Sequence, residues 1–194
     1  MSPHDWLFRT QNLLGLNHEN AQSPEDKERW MRAIEALWFI WSRGHLSEFE
    51  EYWQDQSVPG PPDAIAAFKT REEALAWLNA LPRSPEMAHV LVADEYHDVI
   101  ASKDRRKHYL PPSPSIRSYL ADMVREGLPP PAASFATREE AQAWLEAQES
   151  PPRQSVIQIG GEPYLAAYYR NIPHRALFPF SLADRLLSEP PPEP

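Results

Sequence analysis

The stretch Phe68-Lys69-Thr70-Arg71-Glu72-Glu73-Ala74-Leu75-Ala76-Trp77-Leu78-Asn79-Ala80 decides how this chain is read, because it occurs twice. Sixty-seven residues on stands Phe135-Ala136-Thr137-Arg138-Glu139-Glu140-Ala141-Gln142-Ala143-Trp144-Leu145-Glu146-Ala147, identical at 10 of 13 positions. Chance does not produce that agreement. Two copies are too few for a solenoid, which takes about three or more repeats. The repeat therefore predicts a paired, pseudo-symmetric domain.

Each copy carries the same instructions. Thr70 and Thr137 are N-cap residues, and Glu73 and Glu140, three positions later, complete capping boxes. Ala74, Trp77, Leu78 and Leu81 fall at i, i+3, i+4 and i+7, one apolar helix stripe that Ala141, Trp144 and Leu145 repeat. This spacing makes the two tryptophans core residues rather than stacking platforms. Short apolar segments, Ala64 to Phe68 and Ala132 to Phe135, read as strands before the helices, and Pro82, Pro85, Pro151 and Pro152 break the chain after them. A hairpin follows each helix. Val156 to Ile159 runs through Gly160-Gly161 into Tyr164 to Tyr169, and His89 to Val92 runs through Asp94-Glu95 into Tyr96 to Ala101.

Outside the repeats the chain reads as helical. Helices are expected over Asp5 to Leu14, from Ser23-Pro24-Glu25-Asp26 to Gly44 with a buried stripe of Trp30, Ile34, Leu37, Trp38 and Trp41, and over Ser47 to Gln54. Others are expected from Ser115 to Glu126, ended by Gly127, and from Ser181 to Leu187. The fold expected is α+β: a helical N-terminal segment over 1–58, a first βαββ repeat over 59–112, a connecting helix over 113–128, a second βαββ repeat with a C-terminal helix over 129–188, and a proline-rich tail over 189–194.

Composition narrows the function. Among 194 residues there are 28 acids, 19 bases and no cysteine, a net charge of −9. Disulfides, thiolate metal sites and cysteine nucleophiles are thereby excluded. The acidic balance argues against wrapping nucleic acid and permits a basic protein partner. The N-terminus lacks the basic and apolar regions of a signal peptide, and the longest apolar run, Ala36 to Trp41, is far below the ~20 residues of a membrane span. A cytoplasmic location is the expectation.

Motifs for catalysis are absent from the sequence: no Walker loop, no GxGxxG, no HExxH, no GxSxG. His108 and His174 sit at similar places in the two copies, as a catalytic pair or, as favoured here, as residues bonding a backbone carbonyl at a strand end. Asp94-Glu95-Tyr96-His97-Asp98 offers oxygen and imidazole ligands but reads as a polar hairpin turn, so no metal and no cofactor is expected. The run Ser47 to Asp55 holds Glu48, Glu50, Glu51 and Asp55 with Phe49, Tyr52 and Trp53 interleaved and no base. Such a run is either a solvated face with buried aromatics or a surface for a basic partner, where charge speeds encounter and aromatics anchor it.

The pattern Phe-x-Thr-x-x-Glu-Ala-x-x-Trp-Leu resembles the small RNA–DNA hybrid-binding module of some ribonucleases H, but without that family's basic strand loops. The second copy, with Gly127-Leu128-Pro129-Pro130, Phe135 to Ala141, Ile159 to Ala166 and His174-Arg175-Ala176-Leu177-Phe178-Pro179, resembles a bacterial paralogous family labelled "head protein". The resemblance covers about residues 60 to 182. It implies a lineage-restricted protein like the immunity proteins of polymorphic toxin systems, and it carries no catalytic residues to this chain. The function expected is a non-catalytic, stoichiometric inhibitor that binds a cognate toxin, such as a nuclease. Its contact residues are expected to be Glu48, Phe49, Glu50, Glu51, Trp53 and Asp55, with Asp94, Glu95 and Asp98 as a second acidic patch. A self-assembling structural component and an enzyme are the alternatives.

Overall fold

The computed structural model describes residues 3–83, 85, 87–102 and 107–188. The proline-rich tail expected over 189–194 lies outside them. The chain is mixed α+β and separates into two units, Met1–Val58 and Pro59–Pro194.

The first unit is α1 (Pro3–Asn20), α2 (Pro24–Ser42) and α3 (Leu46–Gln56). The α2 start follows from chemistry legible in the chain. Ser23 is extended, its hydroxyl accepts from the Asp26 N–H at 3.0 Å, and Pro24 takes the first helical position, where no N–H is needed. The first helix runs well past Leu14, because Gly15 is tolerated inside it. The expected buried stripe of α2 is corrected: none of its residues is buried, Trp38 and Trp41 are exposed, and Trp30, Ile34 and Leu37 are half-buried. Three helices alone enclose little space. Among the described residues of this unit, Leu7 and Leu46 are the buried apolar side chains. Among the described residues no helix is long and apolar enough to cross a membrane.

The second unit starts with β1 (Ala67–Phe68), α4 (Arg71–Ala80), β2 (His89–Val92) and β3 (Glu95–Asp98), which form a sheet of order β1-β2-β3. β4 (Ile100–Ala101) and β5 (His108–Tyr109) make a two-stranded ribbon, and α5 (Ser115–Glu126) follows. Then come β6 (Ser134–Phe135), α6 (Arg138–Glu146), β7 (Gln154–Ile159), β8 (Glu162–Tyr169) and β9 (His174–Pro179), a sheet of order β6-β7-β8-β9. A 3₁₀ turn, Phe180–Ala183, leads into α7 (Asp184–Ser188), where one helix from Ser181 was expected. Two further corrections concern strands. The expected strand from Tyr96 to Ala101 is interrupted at Val99, and His174–Pro179 is a full third antiparallel strand beside β8.

The pairings of the first sheet return 67 residues on. Phe68 pairs Val92 in parallel, as Phe135 pairs Ile159. Val92 faces Glu95 across a two-residue turn, as Ile159 faces Glu162. The His97–Pro112 bridge and the Ile100–Tyr109 pair reappear as Tyr164–Pro179 and Ala167–Ala176. The helix caps also correspond. Thr70 accepts from Glu73 N–H and Thr137 from Glu140 N–H, each at 3.2 Å. The reciprocal bond to the cap's own N–H is made by Glu73; Glu140 reaches instead to the Ala136 N–H.

Strand alternation splits the apolar residues between faces. Val90 and Val92 pack with Ala74 and Leu78 of α4, beside Val99 and Leu110. Ile157, Ile159 and Leu177 pack with Ala141 and Leu145 of α6. The opposite faces share one cluster: Leu91 and Tyr96 from the first sheet, Val156, Leu165, Tyr169 and Phe178 from the second, and Ile116 and Leu120 of α5. Trp77 and Trp144 lie half-buried at the edges of the outer clusters, with ring centroids 5.5 Å from Phe68 and 5.4 Å from Phe135.

A polar seam runs through the shared cluster. The Tyr96 hydroxyl donates to the Pro62 carbonyl at 2.6 Å, so it accepts from the Tyr169 hydroxyl. Burial, first of all, raises both hydroxyl pKa values above the ordinary tyrosine value. Arg153, only 5% exposed, donates to Asp63 Oδ1 at 2.9 Å and to the Pro61 carbonyl. Gly60 lies against that guanidinium so closely that a Cβ there would fall 2.5 Å from Arg153 Nε. Asn171 donates to the Ala64 carbonyl at 2.6 Å, and together these bonds tie the 60–64 segment to residues flanking the second sheet's strands.

Candidate functional site

Helix α3 puts Leu46, Phe49, Glu50 and Trp53 at intervals of three and four, hence on one side. Leu46 is buried, Phe49 and Glu50 are half-buried, and Trp53 is 64% exposed. Phe49, Glu50 and Trp53 border a groove of about 470 Å3 whose other walls include Trp6 and Leu37. The Trp6 indole N–H donates to Glu50 Oε1 at 2.9 Å, joining α1 to α3. Phe49 lies among three other rings, with its centroid 5.6 Å from Trp6, 6.4 Å from Tyr52 and 6.5 Å from Trp53, the last nearly parallel at 25°. Glu48 and Glu51 are exposed beside the groove, Glu48 with its carboxylate 2.8 Å from His45 Nδ1. Tyr52 is exposed as well. Asp55 lies in the helix, but its side chain is outside what is described.

The three carboxylates of the second acidic patch have different surroundings. Asp94 Oδ1 lies 2.8 Å from His174 Nε2 at the start of β9, and its other oxygen lies 3.8 Å from the Arg138 guanidinium at the start of α6. Asp98 Oδ1 lies 2.9 Å from Nδ1 of His89, its cross-strand neighbour. Only Glu95 is exposed. The reason is geometric: Asp94 closes the turn and leans across to the second repeat's elements, whereas Asp98 stands at the far end of the strand. Asp94 and Asp98 thus each face a histidine, whereas Glu95 faces solvent.

Asp94 borders a cleft of about 650 Å3 with Arg138, Glu139, Glu146, His174 and Arg175. Its charges of both signs are largely engaged: Arg138 also donates to the Leu177 carbonyl at 3.3 Å and Arg175 to the Gln148 carbonyl at 2.9 Å. His108 Nδ1 lies 2.8 Å from Asn79 Oδ1. At His174 the expected backbone carbonyl is thus replaced by a carboxylate, while His108 has the Asn79 amide oxygen among its contacts. A backbone carbonyl is met by His97, buried and 2.9 Å from the Leu110 carbonyl.

Trp6 and Leu37 were not expected in the groove. They lie on α1 and α2, and nothing local in the sequence marks a neighbour 44 positions from Glu50. Compared with protein-family models, curated proteins and solved structures, the chain matches none.

Proposed function

We propose that the protein is a non-catalytic binding protein of the immunity type: a stoichiometric inhibitor that occupies a basic surface of a cognate bacterial toxin, with a nuclease the fitting target. One observation carries this reading. Phe49, Glu50 and Trp53 gather in a single groove, with Glu48 and Glu51 exposed beside it. Aromatic anchors supply binding energy and a rim of like charge speeds encounter with an oppositely charged partner. A helical unit that buries so little of its apolar surface has that surface to offer. In this reading the protein works in the cytoplasm, without cofactor or metal. Residues 59–112 and 129–188 form a pseudo-symmetric scaffold of two βαββ copies around the 113–128 helix, a reading supported by pairings that recur 67 residues apart.

The test is co-expression with the product of the gene adjacent to its own. Rescue from killing is expected for the natural protein and for Glu95→Lys. It is expected to be lost for the double change Glu50→Lys, Glu51→Lys. Equal rescue by the double variant would remove α3 from the proposal.

Phe8, Leu13 and Leu16 on α1 and Trp38 and Phe39 on α2, all exposed, favour a second reading, a self-assembling structural component. Sedimentation at rising concentration separates the two. Assembly grows with concentration, whereas an inhibitor stays one small species.

A further inference from the structure

Glu50 is half-buried in a groove whose neighbouring walls are Trp6, Leu37, Phe49 and Trp53. Its hydrogen bond comes from a neutral donor, the Trp6 indole, to one oxygen. Among the described residues no Lys, Arg or His lines the groove, and none forms an ion pair with Glu50. A carboxylate drawn partly out of water without a counter-charge is a poor arrangement for stability alone and a good receptor for a cation.

The rings specify which cation. Phe49 and Trp53 are nearly parallel with centroids 6.5 Å apart, so a cation placed between them lies within the ~6 Å reach of cation–π attraction to both. A guanidinium is planar, weakly hydrated and able to stack on a ring while giving two N–H bonds to a carboxylate; an ammonium is a strongly hydrated point charge that does neither as well. We propose that this groove is a receptor for a single arginine side chain of a partner protein, its guanidinium stacked on Phe49 and Trp53 and paired with Glu50. Glu48 and Glu51 would then face basic residues flanking that arginine. The inference rests on the partner-binding reading above and names its anchor.

The experiment uses the full chain, 15N-labelled, and follows the indole N–H resonances of its seven tryptophans. N-acetyl-arginine amide is titrated to about 50 mM, a range suited to a lone side chain of millimolar affinity. Its neutral isostere N-acetyl-citrulline amide is titrated in parallel. Arginine is expected to shift the Trp6 and Trp53 indoles saturably, citrulline at least fivefold more weakly, and Glu50→Gln to weaken arginine by a similar factor. Trp53→Ala, at an exposed position, is expected to abolish the shift at Trp6 should Glu50→Gln fail to fold. Equal shifts by citrulline, or an undiminished arginine shift in either variant, would overturn the proposal. Arginine binding without rescue in the co-expression test leaves the receptor standing and removes the inhibitor reading. Rescue that depends on Glu50 with no arginine shift does the reverse.

Discussion

The two hairpins of the second unit have the same turn and the same register, yet they are built from different residues. Between Ile159 and Glu162 the chain turns on Gly160 and Gly161, with φ of 59° and 88°. Between Val92 and Glu95 it turns on Ala93 and Asp94, with φ of 49° and 64°. Positive φ at both central residues is what a two-residue hairpin turn requires, and glycine meets it without a steric cost. The first hairpin accepts that strain and in return places Asp94 against His174 and Arg138. The third strand shows the same contrast. β9 is continuous over six residues, while its counterpart in the first repeat is reduced to β5 and the His97–Pro112 bridge. The register is the same where the side chains differ; a one-residue slip would turn every apolar residue to the wrong face.

The largest expected effect tests whether the two outer layers are equivalent. Leu78 and Leu145 hold the same place under the two sheets, both buried. Leu78→Ala and Leu145→Ala should each lose roughly 2–5 kcal/mol, the range for emptying a buried leucine site, measured by urea denaturation. A loss below about 1 kcal/mol at one of them would mean that its helix packs loosely, and the equivalence would fail.

The next effect lies in the layer the sheets share, where the repeats contribute unequally. Tyr96 and Tyr169 do not occupy matching positions, and burial raises the pKa of both above the ordinary value near 10. Above that pH the unfolded chain gives up these protons and the folded chain keeps them. The stabilisation present below pH 10 is therefore lost as pH rises, by up to ~1.4 kcal/mol per pH unit for each tyrosine. Denaturation between pH 9 and 11 should show this fall, to which the partly buried Tyr119 adds, and Tyr169→Phe should reduce its slope by roughly a third to a half. An unchanged slope would place the titration elsewhere.

Much of this fold was legible because its signals are local. Thr70 with Glu73, Ser23 with Pro24, and Gly160-Gly161 each specify a start or a turn within four residues, and the duplicated stretch placed two helices at once. β9 was harder to read. His174-Arg175-Ala176-Leu177-Phe178-Pro179 lacks polar alternation because it is buried on both faces in its middle, where periodicity is silent. The α2 stripe misled for a related reason: Trp38 and Trp41 have helical spacing, but spacing records which side is apolar and not whether anything covers it. At the candidate site, the acid and aromatic residues of α3 were visible as a run, whereas Trp6 enters only through tertiary packing. Asp94 looked like surface charge because its partners, His174 and Arg138, lie 80 and 44 positions away.

The smallest expected effect separates strain from use in the first hairpin. Ala93 has no described polar side chain to justify its conformation, so Ala93→Gly should relieve the ~1–2 kcal/mol that the left-handed region exacts from an ordinary L-residue. Glycine's extra freedom in the unfolded chain offsets ~0.5–1 kcal/mol of that, leaving a net stabilisation of up to about 1.5 kcal/mol. Asp94→Gly gains less, since aspartate tolerates this conformation better than alanine. It also loses the bonds to His174 and Arg138, a partly exposed pair of the kind that contributes roughly 0.5–1 kcal/mol. The expectation is opposite signs: a melting temperature a few degrees higher for Ala93→Gly and unchanged or lower for Asp94→Gly. Should both glycines stabilise equally, Asp94 would contribute nothing through its partners, and the first turn would be only a strained version of the second. Should Ala93→Gly destabilise, the first turn would hold its shape without strain, and the contrast between the hairpins would rest on side chains alone.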